Sequence, residues 1–373
     1  MIILGIETSC DETSASIVEY KGGKFKVLSS IVSSQIKIHQ KTGGVVPEVA
    51  AREHVKDIIP VIDRAIKKAK IDHKKIDKIA VAIGPGLNIA LLVGSETAKT
   101  LSFVWDKPIV PVNHLEGHIA AVNLLNKKIK YPALALLVSG GHTELVLISS
   151  PLTLAFAKRY GEARPLQTLE RGINNINNKI KLPSPRIACL TGRQGEGLGM
   201  RIIGSTRDDA SGECFDKCAK LLGLKYPGGP EIARYAKKGK AVIKFPRPMI
   251  ASTDFDFSFS GLKTHVLYNY PKLKNKFSLA DICASLEEAI VDVLFFKTKK
   301  AAEKFNAKSI ILCGGVAANL SLRKKFELFS SNYQLLIPNY QYCTDNAAMI
   351  AAAAATKKPV PLQKIKVDPN ASL

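Results

Sequence analysis

His114-Leu-Glu-Gly-His118 follows directly on the apolar run 108–112. Residues four apart share one face of a helix, so both imidazoles can reach a single ion. Neutral imidazole is a common ligand of Zn²⁺ and Fe²⁺. The zinc-protease pattern needs Glu immediately after the first His. Here Leu115 holds that place and Glu116 comes one residue later, so protease chemistry is excluded. A second reactive stretch is the polar segment Glu7-Thr-Ser-Cys-Asp-Glu-Thr-Ser14, whose Asp11 and Glu12 are capable of acid–base or metal work. Ser139-Gly-Gly141 can turn consecutive backbone amides toward a phosphate, because glycine lacks Cβ and tolerates positive φ. Gly314-Gly-Val-Ala-Ala-Asn319 can let a flat purine lie on the backbone, with Asn319 placed to hydrogen-bond it.

Each of these stretches sits beside an element that would position it. The runs 2–6 and 15–18 read as strands flanking the acidic turn, and 79–83 and 109–112 as further buried strands. Pro47 opens an amphipathic helix to about Lys70, and Gly84-Pro-Gly leads into a helix over 89–105. The runs 133–138 and 144–148 repeat the strand, small polar turn, strand layout of the N-terminus. That repetition implies a duplicated fold with a cleft between two lobes. Further on, 278–304 reads as a long helix, 309–313 as a buried strand and 347–355 as a buried alanine-rich helix.

The chain of 373 residues exceeds what one ordinary core serves, so two lobes are expected. It is 46% hydrophobic and 23% charged, as soluble globular proteins are. No run reaches the roughly 18 apolar residues of a membrane span, and no targeting segment is recognisable, so no membrane role and a cytoplasmic location are expected. Seven cysteines spread from Cys10 to Cys343 do not form a disulfide framework in a chain of this length. The 54 basic against 32 acidic residues give a formal charge of +22, which favours a polyanionic partner, most simply nucleic acid. Residues 150–202 carry no periodicity and many arginines and lysines, and read as a basic, partly disordered insertion.

Taken in order, Glu7–Ser14, Gly84-Pro-Gly86, His114–His118, Leu137-Val-Ser-Gly-Gly-His-Thr143, Asp208–Asp216, Tyr226-Pro-Gly-Gly-Pro230, Phe259-Ser-Gly-Leu-Lys263, Cys313–Asn319 and Cys343-Thr-Asp-Asn346 resemble the motifs of the tRNA threonylcarbamoyladenosine transferases, bacterial TsaD type. The resemblance covers the chain apart from the basic insertion. It implies an α/β, actin-like ATPase fold of the sugar-kinase and heat-shock-protein type. Two ribonuclease-H-like lobes would enclose a nucleotide and metal cleft, 1–112 plus 340–373 forming the N-terminal lobe and 113–339 the C-terminal one. The implied reaction moves L-threonylcarbamoyl from threonylcarbamoyl-adenylate to N6 of the adenosine 3′ to the anticodon, in tRNAs reading codons that begin with A.

Carried over residue by residue, the resemblance makes His114, His118 and Asp345 metal ligands, the carboxylate coming from the far lobe, around one Fe²⁺ or alternatively Zn²⁺. Leu137, Val138, Ser139, Gly140 and Gly141 become the substrate loop, Asp216 and Gly229 the ribose-side contacts, and Asn319 the base-side contact. Asp11 and Glu12 become the acidic residues that assist catalysis. Leu137 and His142 follow the bacterial or organellar pattern. The implied partners are tRNA, TsaB and TsaE subunits or a second copy of the chain. A kinase or ATPase of the same fold is the competing class. Such enzymes hold Mg²⁺ mainly through phosphate, water and carboxylate, not through paired histidines.

Overall fold

The computed structural model describes residues 1–150 and 199–373. Its first sheet is built from β1 (Ile2–Glu7), β2 (Glu12–Lys21), β3 (Lys24–Ser34), β4 (Lys78–Gly84) and β5 (Ile109–Asn113), in the order β3-β2-β1-β4-β5. β1 pairs antiparallel with β2 and parallel with β4; β2 pairs antiparallel with β3, and β4 parallel with β5. The second sheet contains β6 (Ala133–Val138), β7 (Thr143–Ile148), β8 (Met200–Ser205), β9 (Ser309–Cys313) and β10 (Gln334–Leu336), in the order β10-β9-β6-β7-β8. Its pairings repeat the first sheet strand for strand: antiparallel for β6–β7 and β7–β8, parallel for β6–β9 and β9–β10. This is the duplicated two-lobed α/β fold that the repeated layout implies. Most of the basic segment lies outside the described residues, but its last three residues, 200–202, open edge strand β8 and so belong to the sheet.

The helices follow the apolar spacing of the sequence. After a single turn, α1 (Ile36–His39), α2 (Pro47–Ala69) carries Pro47 in its first turn, where the missing N–H costs nothing. Glu48 in its first turn and Lys67 and Lys68 in its last complement the helix dipole, and Lys70 ends it in the left-handed region. α3 (Asn88–Trp105) follows β4, and α4 (His114–Ala120) follows β5. Asn113 caps α4, its Oδ1 accepting from the amides of Leu115 (2.8 Å) and Glu116 (3.3 Å). The later helices are α5 (Ser211–Leu221), α6 (Gly228–Ala236), α7 (Ser260–Leu273), α8 (Leu279–Lys304), α9 (Leu320–Phe329) and α10 (Ala347–Ala354).

All eight residues of α10 are buried. One core cluster joins Leu115 and Ile119 of α4 and Met349 and Ile350 of α10 to Ile3 and Val110 of the first sheet and Ala135 and Ile311 of the second. The two helices therefore lie side by side between the sheets. Small residues make this approach possible. A Cβ on Gly5 would stand 2.2 Å from the Ala347 carbonyl oxygen, and one on Gly117 would stand 2.8 Å from Ile350 Cδ1. A run of alanines here serves close packing, because each side chain keeps the neighbouring backbone near.

Candidate metal centre and interlobe site

Two helices meet at the reactive residues. His114 and His118 lie one turn apart on α4, their ring centroids 4.6 Å apart and nearly perpendicular. Asp345 lies just before α10, with Oδ1 3.5 Å from His114 Nε2 and 3.2 Å from His118 Nε2. One ligand atom from each of the three falls within 4.8 Å of the others. The expected boundary at 112/113 put the histidines and Asp345 in facing halves. The carboxylate stands just before α10, which packs directly against the histidine helix because Gly117 and the alanines of α10 let the two touch.

The second contacts of the rings set their tautomers. Glu7 Oε2 lies 2.9 Å from His114 Nδ1. A carboxylate there accepts, so Nδ1 carries a proton, shared with Ser9 Oγ at 3.1 Å, and Nε2 is the nitrogen that faces Asp345. Ser9 N–H donates to the other Glu7 oxygen at 2.6 Å, which fixes the carboxylate in turn. His118 is fully buried, and neither of its ring nitrogens makes a hydrogen bond among the described residues. Its 3.2 Å approach to Asp345 is a contact without hydrogen-bond geometry. A buried imidazole with no partner is costly. A cation held between the two rings and Asp345 accounts for it, and two imidazoles with one carboxylate are a donor set that suits such an ion.

The electrostatics agree. Burial pulls His118 down, and the His114 charge adds to this against the attraction of Asp345, so the ring stays neutral. For His114, burial alone would lower the pKa, but Glu7 and Asp345 outweigh it and raise it to about 9. Burial would raise Asp345, yet the three neighbouring rings of His114, His118 and His142 hold it at about 2. His142 is pushed down to about 4 by burial and by the two histidines. A metal ion would take the place of the His114 proton.

The acidic turn lies beside this cluster. Burial, then Asp11, then Asp345 raise the Glu12 carboxyl well above the usual range. Burial and Asp11 likewise push up the Cys10 thiol, which leaves it a poor nucleophile. Asp11 also acts on Asp216, whose carboxyl burial raises to about 6. Asp216 Oδ1 accepts from Gly228 N–H at 2.6 Å, and the Gly229 amide points to the same carboxylate. The structure thus gathers His114, His118, Asp345, Asp11, Glu12 and Asp216, with Gly229 behind the last.

Other expected contacts are placed differently. Leu137 and Val138 are fully buried in β6, so their side chains are core and only their backbone is left to meet a ligand. Ser139 N–H is already used, donating to the His142 carbonyl at 2.8 Å. The open backbone of that loop is at Gly140 and Gly141, where an added Cβ would meet nothing within 4 Å. Asn319 caps α9, its Oδ1 accepting from Leu322 N–H at 2.9 Å and its Nδ2 donating to Glu287 Oε1 at 2.6 Å. Gly314 is needed for a close approach of the chain itself: at φ +89°, a Cβ there would stand 2.3 Å from the Val138 carbonyl oxygen, whereas one on Gly315 would meet nothing within 4 Å. Glu7, Ser9 and Tyr226 add to the site beyond the expected residues. Tyr226 lies within the field of Asp11 and Asp216, and its carbonyl accepts from Gln40 Nε2 at 2.8 Å. A carboxylate closing an apolar strand was the available signal for Glu7.

Glu144 gives a pH test of this region. It is half-buried on β7, its Oε2 is closed off without a hydrogen bond among the described residues, and burial raises its carboxyl to about 7. A folded-state pKa above the unfolded value favours the fold fully below about pH 4.5, and that contribution is lost as pH rises through about 7. Glu144→Gln is therefore expected to raise stability relative to the parent at pH about 9, by at most on the order of 3 kcal/mol. At pH about 4 the two should unfold at the same temperature. Parallel melting curves at both pH values check this, and an equal offset at the two would refute it.

The family model described as TsaD, tRNA N6-adenosine threonylcarbamoyltransferase, matches residues 26–159 and 154–352. The two ranges join inside the basic segment. The chain is 44% identical over 356 residues to the tRNA N6-adenosine threonylcarbamoyltransferase of Persephonella marina, covering 94% of this chain and 88% of the relative. It is 44% identical to that of Thermosipho africanus, covering 95% and 93%. Among solved structures, HypF of T. kodakarensis superposes with a TM-score of 0.53 at 17% identity, over 95% of this chain and 47% of that one. The activator of 2-hydroxyisocaproyl-CoA dehydratase from Clostridium difficile does so with 0.50 at 13% identity, over 95% and 94%. These two likenesses speak for the fold alone, the actin-like ATPase fold. With this identity over nearly its whole length, the chain belongs to the tRNA N6-adenosine threonylcarbamoyltransferase family.

Proposed function

We propose that this chain transfers L-threonylcarbamoyl from threonylcarbamoyl-adenylate to N6 of the adenosine 3′ to the anticodon, in tRNAs reading codons that begin with A, and releases AMP. The observation that carries the site assignment is the convergence of His114, His118 and Asp345 around a fully buried ring with two unsatisfied nitrogens. Those three residues would hold one divalent ion, Fe²⁺ or alternatively Zn²⁺. Such an ion supplies Lewis acidity toward the carbonyl or phosphoryl oxygens of the mixed anhydride.

The chain's own groups supply the rest. An exocyclic adenine amine is a weak nucleophile, so alignment contributes much of the acceleration. As the new C–N bond forms and the bond from carbonyl carbon to phosphate oxygen breaks, one amine proton must leave. Asp11 or Glu12 accepts it. The backbone at Gly140 and Gly141 is open to the departing phosphate. Asp216, held by Gly228 and Gly229, offers a carboxylate to the ribose hydroxyls. Asn319 would meet the base through what its bonds to Leu322 and Glu287 leave available.

The formal charge of +22 suits a tRNA substrate. The first sheet falls within residues 2–113 and the second within 133–336, and an isolated bridge from Val360 to Ile109 ties the tail to the first sheet, in support of an N-terminal lobe of 1–112 with 340–373 and a C-terminal lobe of 113–339. Among the described residues no helix is long and apolar enough to cross a membrane. A cytoplasmic location, and TsaB and TsaE subunits or a second copy of this chain as partners, complete the reading.

The test combines the purified protein, with partner subunits added, threonylcarbamoyl-adenylate and unmodified tRNA, followed by mass analysis of the nucleosides. The expected product is threonylcarbamoyladenosine at a single position. A complete mixture that yields AMP but leaves the tRNA unmodified would overturn the proposal.

A further inference from the structure

We propose that His54 is a positioning residue that brackets the Asp11–Glu12 carboxylates and holds them at the reaction centre. His54 lies on the buried face of α2, in line with Ala50 and Ile58, and is fully buried. Its two ring nitrogens land on either side of the acidic pair. Nε2 is 2.9 Å from the carbonyl oxygen of Cys10, and Nδ1 is 2.7 Å from Oγ1 of Thr13.

These two contacts fix the tautomer without further assumption. A carbonyl only accepts, so Nε2 carries the proton; Nδ1 is then the acceptor and takes the Thr13 hydroxyl proton. Burial lowers the pKa of the ring, consistent with this neutral form. A core position four residues from Ala50 and Ile58 would normally take an aliphatic side chain. An imidazole is tolerated because both of its nitrogens are satisfied.

The turn has other anchors, among them the pairing of Glu12 and Thr13 with Ser34 and Ser33 across β2 and β3. Leu87 N–H donates to the Ser9 carbonyl at 2.7 Å, and Gln35 N–H donates to the Asp11 carbonyl at 3.0 Å. Ser34 Oγ donates to Glu12 Oε1 at 3.2 Å. The His54 ring instead ties together residues 10 and 13, the two flanks of Asp11 and Glu12. Freeing those flanks would let both carboxylates wander relative to Asp345 and the incoming amine, while leaving the metal ligands untouched.

The inference rests on the reading that Asp11 or Glu12 accepts the amine proton, so Asp11→Asn and Glu12→Gln are assayed alongside. With metal-loaded enzyme and its partner subunits, His54→Leu is expected to lower kcat by about 10–100-fold. KM for threonylcarbamoyl-adenylate should stay within about threefold, and bound metal per chain should be unchanged. His54→Gln, whose amide can donate to Cys10 and accept from Thr13, should recover most of the loss. Wild-type kcat in His54→Leu overturns the inference, as does a His54→Gln variant as slow as His54→Leu. If His54→Leu does not fold, Thr13→Val decides. A fall in kcat at constant KM supports the bracket, and wild-type kcat overturns it. Normal rates in both Asp11→Asn and Glu12→Gln would instead remove the underlying reading.

Discussion

Replacing His114 and His118 together by alanine is expected to strip the divalent ion and to lower transfer by about 10³-fold or more. The two rings supply two of the three ligand atoms that converge within 4.8 Å. Asp345 alone, partly open to solvent, offers a single carboxylate, which holds a transition ion weakly. The effect should be graded by shell. Glu7→Ala leaves all three ligands in place but frees the His114 ring and its tautomer, and should weaken metal binding by about 10–100-fold. Metal content by elemental analysis and a titrated dissociation constant separate the two cases independently of turnover. A double histidine variant that keeps full activity without bound metal would sink the assignment of the site.

The second large effect concerns stability. Lys357 Nζ pairs with Glu116 Oε2, and both residues are buried. Glu116 sits between the two histidines on α4, and Lys357 lies just beyond the end of α10, so the pair pins these helices together. Lys78 adds to the same corner, its Nζ donating to the carbonyls of Ala354 (2.6 Å) and Ala355 (3.0 Å) at the end of α10. Lys357→Met leaves the Glu116 carboxylate buried without that ammonium, and should cost about 3–5 kcal/mol. The melting temperature should fall by about 4–6 °C. Combining Lys357→Met with Glu116→Gln should recover a large part of the loss, because the buried carboxylate charge that the ammonium offset is gone. A single variant that melts within about 2 °C of the parent would show that the pair does not hold the helices.

The motif at His114–His118 was legible because an i, i+4 spacing fixes two side chains to one helical face whatever the surrounding fold. The duplication was legible from the two strand–turn–strand runs, and the two sheets repeat each other pairing for pairing. The alanine run 347–355 could be read as buried, since no polar side chain interrupts it. The role of Leu137 and Val138 was not legible, because a motif spans strand and loop alike. Only the sheet shows that these two are core while Gly140 and Gly141 are open. The Ser139 amide was similarly out of reach: its bond to the His142 carbonyl depends on the closing geometry of the β6–β7 hairpin.

By itself, then, the chain order determined which residue types are present in which local frames: paired imidazoles on a helix, carboxylates in a turn, glycines after strands. Local frames follow from short-range backbone geometry, which a few consecutive residues suffice to set. The tertiary structure decided that α10 packs on α4 so that Asp345 reaches both rings, that Glu7 accepts the hydrogen bond from His114 Nδ1, and that His54 spans the acidic turn. Those pairings join residues tens to hundreds of positions apart, and close packing around Gly5 and Gly117, more than any local preference, selects which of them meet.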